Sequence, residues 1–291
     1  MLTAVVVSLR PRQWSKNLFV LAGLIFARRL FTPDAWTALG AFAIFCALSG
    51  AVYLVNDIAD VARDRAHPVK RLRPVAAGRL PVGAALAVAV GLAIAGLAFS
   101  ACLGRGFLTT AVAYVALVVA YSAWLKHVVI VDVLTVATGY VLRAVAGALA
   151  IRVEISGWLL ICTILLALFL TLGKRRHEVM TLEAAATQRP ILAEYSPALL
   201  DQMIAVVTAS TVTAYALYTM SPETVAKFHT RLLPATLPFV LYGVFRYLYL
   251  LYHRRLGGNP SEIFLTDRAL LVNSLVWLLA VLAIIYGPSL E

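Results

Sequence analysis

Nine long, nearly unbroken apolar stretches divide the chain, at 17–31, 35–55, 80–103, 107–125, 128–151, 155–173, 199–220, 232–252 and 269–286. A hydrocarbon layer about 30 Å thick takes roughly 20 helical residues, so each stretch predicts a membrane-crossing helix. The first is short and needs a tilt, or Trp14, to reach across. The third and fourth are separated only by residues 104–106 and predict a tight helical hairpin. None shows the period-2 alternation of a membrane β-barrel strand. The expected fold is therefore all-α: a polytopic membrane protein forming a single integral domain over residues 1–291. Its longest polar stretches, 58–79 and 174–198, are expected to cap a site on one side of the membrane.

Nine crossings place the termini on opposite sides. With the N-terminus in the cytoplasm, the inner segments hold 17 Lys and Arg and the outer segments 6. The positive-inside rule selects that orientation, with the C-terminus outside a bacterial inner membrane. The opening segment carries its charges after its apolar residues, so a cleavable signal peptide is not expected.

Composition agrees. Apolar residues make up 62% and charged residues 13%, against about 45–50% and 25% in soluble domains. A water-soluble enzyme, a disordered tail and a disulfide-stapled secreted domain are excluded. Cys46, Cys102 and Cys162 each sit inside an apolar run, which suits buried thiols rather than a metal cluster. The net charge of +11 is ordinary for cytoplasmic loops and does not by itself imply nucleic acid.

Candidate chemistry begins at the end of the second stretch. Asp57, Asp60 and Asp64 follow Asn56. At 100° per residue, Asp60 lies roughly 60° and Asp64 roughly 20° from Asp57, so a continuous helix would present all three on one stripe. Carboxylates so placed repel each other, and a divalent cation removes that penalty. Mg2+ suits them, because it binds through one or two carboxylates, water and substrate phosphate. Arg65, Lys70, Arg71 and Arg73 follow at once, the pattern for neutralising a phosphate that bridges to a metal. The alternative is an acidic turn salt-bridged to its own arginines.

Asp132 and Arg143 lie eleven residues apart inside the fifth stretch, and intramembrane charge defaults to a functional hypothesis. About 16 Å of axial separation argues against their pairing with each other. Lys174, Arg175 and Arg176 end the sixth stretch, where cations also suit the helix dipole.

At these residues the chain resembles the UbiA superfamily of intramembrane prenyltransferases, through the Asn-Asp-x-x-Asp-x-x-x-Asp run at 56–64. Within it, the chain is similar to the decaprenyl-phosphate phosphoribosyltransferase family. The similarity runs through RPRQWSKN at 10–17, the acidic and basic run at 56–74, and YSAWLK at 121–126, which includes Tyr121. It continues in VLRAVAG at 141–147, LGKRRHE at 172–178, YSPALLDQM at 195–203, LYGVFRYLYL at 241–250 and EIFLTDRAL at 262–270. Superfamily members that use a prenyl diphosphate and an aromatic acceptor usually carry a second acid-rich stripe after the fourth span. Here that region offers Lys126 and Asp132.

The resemblance implies a nine-helix bundle with a cytoplasm-facing cavity and a Mg2+-diphosphate site on Asp57, Asp60 and Asp64. It implies transfer of phosphoribose from 5-phosphoribosyl-1-pyrophosphate (PRPP) to a polyprenyl phosphate, in lipid-linked pentose synthesis for the cell envelope. Asn56 would orient the pyrophosphate. Lys16 with its neighbour Asn17, and Arg65, Lys70, Arg73, Tyr121 and Lys126, would line the substrates. Asp132, Arg143, Lys174 and Arg175 would form a second pole near the acceptor phosphate. Two other readings stay open: an aromatic prenyltransferase using a polyprenyl diphosphate, and a non-enzymatic membrane carrier of anionic lipids.

Overall fold

The computed structural model describes residues 1–181, 190–254, 256–258 and 260–287, and within them the chain is all-helical. The helices are α1 (Leu2–Ser8), α2 (Ala22–Phe26), α3 (Asp34–Ala59), α4 (Val61–Ala66), α5 (Val82–Cys102), α6 (Arg105–Ala123), α7 (Val131–Ala150), α8 (Gly157–Thr181), α9 (Pro197–Met220), α10 (Pro222–Phe228), α11 (Leu237–Tyr252), α12 (Pro260–Thr266) and α13 (Arg268–Tyr286). Eight helical segments among the described residues are long and apolar enough to cross a membrane. They match eight of the nine expected stretches.

The remaining stretch, 17–31, is not a long α-helix. It is reached through a 3-10 helix, Pro11–Leu21, followed by the five-residue α2. At about 2 Å per 3-10 residue and 1.5 Å per α residue, those sixteen positions extend roughly 30 Å. Ion pairs mark where the segment lies. Arg10 pairs with Asp57 near the end of α3, and Arg29 pairs with Asp34 at its start, at 3.7 Å. The segment therefore runs antiparallel along the whole of α3. The tighter winding lets few residues cover the distance. The cost is a poorer hydrogen-bond ladder, which close packing must support.

Two compact units are present. The first comprises Met1–Trp124 and Leu142–Ile155, the second Leu125–Val141 and Ser156–Glu291. In the first, α3 packs on α5 through small residues. Ala85, Ala89, Gly96 and Ser100 of α5 are buried, and a Cβ on Gly96 would lie 2.7 Å from Leu48 Cδ2. Lipid offers no hydrophobic drive between helices, so such close van der Waals contact replaces it. Gly147 of α7 accepts the backbone of the 3-10 helix directly, since a Cβ there would fall 1.8 Å from the Val20 carbonyl oxygen. Between α5 and α6 the expected hairpin forms, with Gly104 at φ 112 making the turn.

The second unit gathers α8, α9, α11 and α13 around Phe169, Leu200, Tyr247, Leu250, Leu251 and Leu270. Phe169 and Tyr247 pack with their rings tilted by 56° and centroids 5.1 Å apart. Residues 182–189, the middle of the expected cap 174–198, lie outside the described residues.

Candidate active site

In the first unit the acidic run folds differently from one continuous stripe. Helix α3 ends at Ala59, and Asp60 leaves helical geometry at φ −95, ψ 8 before α4 resumes at Val61. Asp57 and Asp64 are each only 2% exposed, and they face the same guanidinium. Arg73 Nη1 donates to Asp57 Oδ1 at 3.1 Å and to Asp64 Oδ2 at 2.7 Å. Asp57 Oδ1 also accepts from Arg10 Nη2. Asp60 turns away to Arg63, at 3.3 Å on an exposed surface. The structure thus brings two of the three carboxylates together and leaves the third outside. The break at Asp60 is the physical reason.

The surrounding loop is wired to hold Arg73 in place. Arg65 Nε donates to the Ala76 carbonyl at 3.2 Å, and Arg79 Nη2 donates to the Leu72 carbonyl at 2.6 Å. The His67 ring nitrogen accepts the backbone N–H of Val69 and of Lys70. Lys70 is half-buried, and burial, followed by the nearby Arg73, draws its ammonium below the usual lysine range against the pull of Asp64 and Asp60. Asn56 lies half-buried one position before Asp57. Lys16 Nζ reaches Gln13 Oε1 at 3.3 Å. Tyr121 is half-buried on the last turn of α6.

Deeper in the same unit, two further candidates meet each other. Arg143 Nε donates to Asn17 Oδ1 at 2.7 Å, and Arg143 Nη2 donates to the Tyr114 hydroxyl at 2.8 Å. Asn17 Nδ2 faces Cys46 Sγ and Ser49 Oγ, each at 3.3 Å. This buried set ties the 3-10 helix to α3, α6 and α7, which is structural work for both residues.

In the second unit Asp132, 0% exposed, forms an ion pair with Arg175 Nη2 at 2.9 Å and accepts a hydrogen bond from the Tyr195 hydroxyl at 2.6 Å. Arg175 also pairs with Glu178. Lys174 faces Glu178 at 3.7 Å. Arg176 pairs with Asp201 and stacks over the Tyr252 ring at 3.9 Å. All three cations lie inside α8, which continues to Thr181 rather than ending at them, and all three face carboxylates. Asp132 and Arg143, as their axial separation suggested, find other partners. Lys126 sits half-buried in the 3-10 turn Leu125–His127. Burial, reinforced by the hydrogen bond to Asp132, holds the Tyr195 phenol protonated well above its usual range.

Arg10 and Tyr195 were not singled out by sequence reasoning, although both lie in the quoted motifs. The chemistry of the acidic pair suits a hard divalent cation. Asp57 and Asp64 supply oxygen donors, both buried and both converging on one positive group. Among the described residues no group of three or more His, Cys, Asp or Glu is assembled as a ready-made cage.

A family model described as the UbiA prenyltransferase family matches residues 17–266. Decaprenyl-phosphate phosphoribosyltransferase from Corynebacterium glutamicum is 34% identical, covering 96% of this chain and 86% of that protein. The Mycobacterium tuberculosis protein of the same name is 33% identical, covering 97% and 94%. Among solved structures, a UbiA homolog from Archaeoglobus fulgidus bound to GPP and Mg2+ superposes with a TM-score of 0.73 at 16% identity, covering 97% of this chain and 99% of that one.

Proposed function

Since the chain belongs to the UbiA prenyltransferase family, we propose that it transfers the 5-phosphoribosyl group of PRPP to a polyprenyl phosphate, decaprenyl phosphate being the type substrate, with release of pyrophosphate. Support for the substrates comes from the names of relatives that match nearly the whole chain. Support for a diphosphate site comes from one observation above all: Asp57 and Asp64, both buried, share the guanidinium of Arg73.

A phosphate oxygen of the lipid attacks C1 of the ribose. The C1–O bond to pyrophosphate breaks, and its electron pair departs with the leaving group. A phosphate monoester is already ionised at neutral pH, so no strong general base is needed. Positive charge grows at C1 while negative charge grows on the departing pyrophosphate. Stabilising the latter is the main catalytic task. Asp57 and Asp64 would hold Mg2+, as carboxylates do in magnesium-diphosphate sites, with Asp60 contributing less. When bound, the ion neutralises and orients the diphosphate. Arg73, Lys70 and Arg65 supply further positive charge beside the acids. Asn56 orients the diphosphate oxygens, and Lys16 and Tyr121 line the donor. Lys126 is a candidate cation for the acceptor phosphate. The polyprenyl chain lies along lipid-exposed apolar helix surface, and the donor enters from the cytoplasm. The membrane is the bacterial inner membrane, with the N-terminus cytoplasmic and the C-terminus outside, and the product feeds envelope polymer synthesis.

The test is a radiolabelled PRPP assay on the purified protein with decaprenyl phosphate, with and without EDTA. Label entering the lipid phase, with equimolar pyrophosphate and full loss under EDTA, is expected. Turnover only with a prenyl diphosphate and an aromatic acceptor would overturn the proposal.

A further inference from the structure

The two buried acids are already neutralised by two arginines that come from different parts of the chain. Arg73 reaches them from the loop after the 3-10 turn Lys70–Leu72, and Arg10 from the start of the N-terminal 3-10 helix. Asp57 Oδ1 accepts from both. Arg10 holds a left-handed backbone, φ 53 and ψ 62, which a residue with a Cβ adopts only where its surroundings impose it. Its guanidinium also lies 4.8 Å from the centroid of Tyr53. Both side chains remain partly exposed, 23% for Arg10 and 30% for Arg73, whereas the acids they cover are not.

A guanidinium keeps its charge at any physiological pH and only donates. It and a divalent cation therefore compete for the same carboxylate oxygens. A diphosphate offers the arginines an alternative set of acceptors in the fork geometry they favour. We propose that Arg10 and Arg73 are exchange counter-ions. They hold Asp57 and Asp64 while the site is empty of ligand. They hand those carboxylates to the cation when it arrives, and then close on the diphosphate. This inference rests on the diphosphate chemistry proposed above, and it adds Arg10 as a binding residue. Its thermodynamic content is a coupling: the cation and the diphosphate each bind poorly alone and support each other when together.

The charge-conserving lysine variants separate this from simple charge attraction, which alone would leave both affinities unmoved when arginine becomes lysine. Two measurements on the detergent-purified full chain are needed. One is binding of Mn2+ alone, read by the electron paramagnetic resonance signal of the free ion. The other is retention of labelled inorganic pyrophosphate at saturating Mg2+. Arg73→Gln and Arg10→Gln should bind Mn2+ alone about tenfold more tightly than the wild type, and magnesium pyrophosphate about tenfold less tightly. Arg73→Lys and Arg10→Lys should show the same opposed shifts at smaller size, and they stand in should a glutamine variant lose its helical circular dichroism. Folded variants whose Mn2+ affinity is unchanged or weakened would overturn the exchange. A wild type that binds neither Mn2+ nor magnesium pyrophosphate would instead overturn the diphosphate site itself.

Discussion

The hydroxyl of Tyr195 accepts the backbone N–H of Ile130 at 2.8 Å, across 65 positions of sequence. Ile130 stands at φ 67, a left-handed conformation that is costly for a β-branched residue. Strain of this kind, about 1–3 kcal/mol, persists only where neighbours over-determine it. Here the same hydroxyl donates to Asp132, which is held in turn by Arg175. The strained residue lies four positions after Lys126 of the 3-10 turn Leu125–His127.

Tyr195→Phe removes both hydrogen bonds without changing shape. A stability loss of about 1–3 kcal/mol is expected, read by thermal unfolding in detergent. In an Ile130→Gly background the strain is relieved, and the same substitution should cost less. Equal costs in both backgrounds would show that the contact does not hold the turn.

Asp132→Ala leaves Arg175 charged and buried without that carboxylate. Breaking a buried pair from one side costs about 3–5 kcal/mol. Replacing both with apolar residues, as Asp132→Leu with Arg175→Met, should cost less than the single change. The unfolding midpoints of the single and the paired variant are compared.

The three acids of the run should not behave alike. Asp57→Asn and Asp64→Asn are each expected to lower PRPP-dependent pyrophosphate release by about a hundredfold or more. Asp60 lies on a partly exposed pair with Arg63, an interaction worth under about 1 kcal/mol. Asp60→Asn should lower turnover by less than about tenfold. Equal losses at all three would mean that Asp60 swings into the site when ligand binds.

Gly147→Ala should be among the most damaging single-methyl additions. Its Cβ would fall 1.8 Å from the Val20 carbonyl oxygen, a backbone atom that cannot rotate away. Overpacking typically costs about 1–3 kcal/mol, more where backbone must move. Gly40→Ala, where a Cβ meets nothing within 4 Å, is the control. Yield of folded protein and its melting temperature are the readouts.

Asp267 caps α13 by accepting the Leu270 N–H at 2.8 Å and receives two guanidinium nitrogens of Arg246, at 3.1 and 2.7 Å. The Arg246 hydrogen bonds hold its carboxyl below the usual range, with burial opposing and the Leu270 amide adding to the effect. A depressed folded-state value means that this contribution is present above the unfolded aspartate pKa, near 3.9. It is lost as pH falls through the lower folded value. The wild type should therefore exceed Asp267→Asn in melting temperature at pH 7, and the gap should close below about pH 4. A gap that is constant with pH would contradict the pairing.

Much of this protein is local and could be read from spacing. Apolar runs of membrane-crossing length predicted the eight long helices, because a helix in lipid satisfies its own backbone and needs only apolar side chains outside. The acidic run was legible as charge at the end of an apolar stretch, but the single helical stripe that its periodicity predicts for Asp57, Asp60 and Asp64 is interrupted at Asp60. Tertiary structure decided the remainder. The helix break at Asp60 separated it from its neighbours. No local pattern encodes the 3-10 winding of Pro11–Leu21 or its close backbone approach to Gly147. Arg10 meets Asp57 across 47 positions, Tyr195 meets Asp132 across 63 and Arg143 meets Asn17 across 126. Periodicity says which way a side chain points on its own helix. Which partner waits there depends on how whole helices pack, and that is settled by the shapes of all the surfaces together.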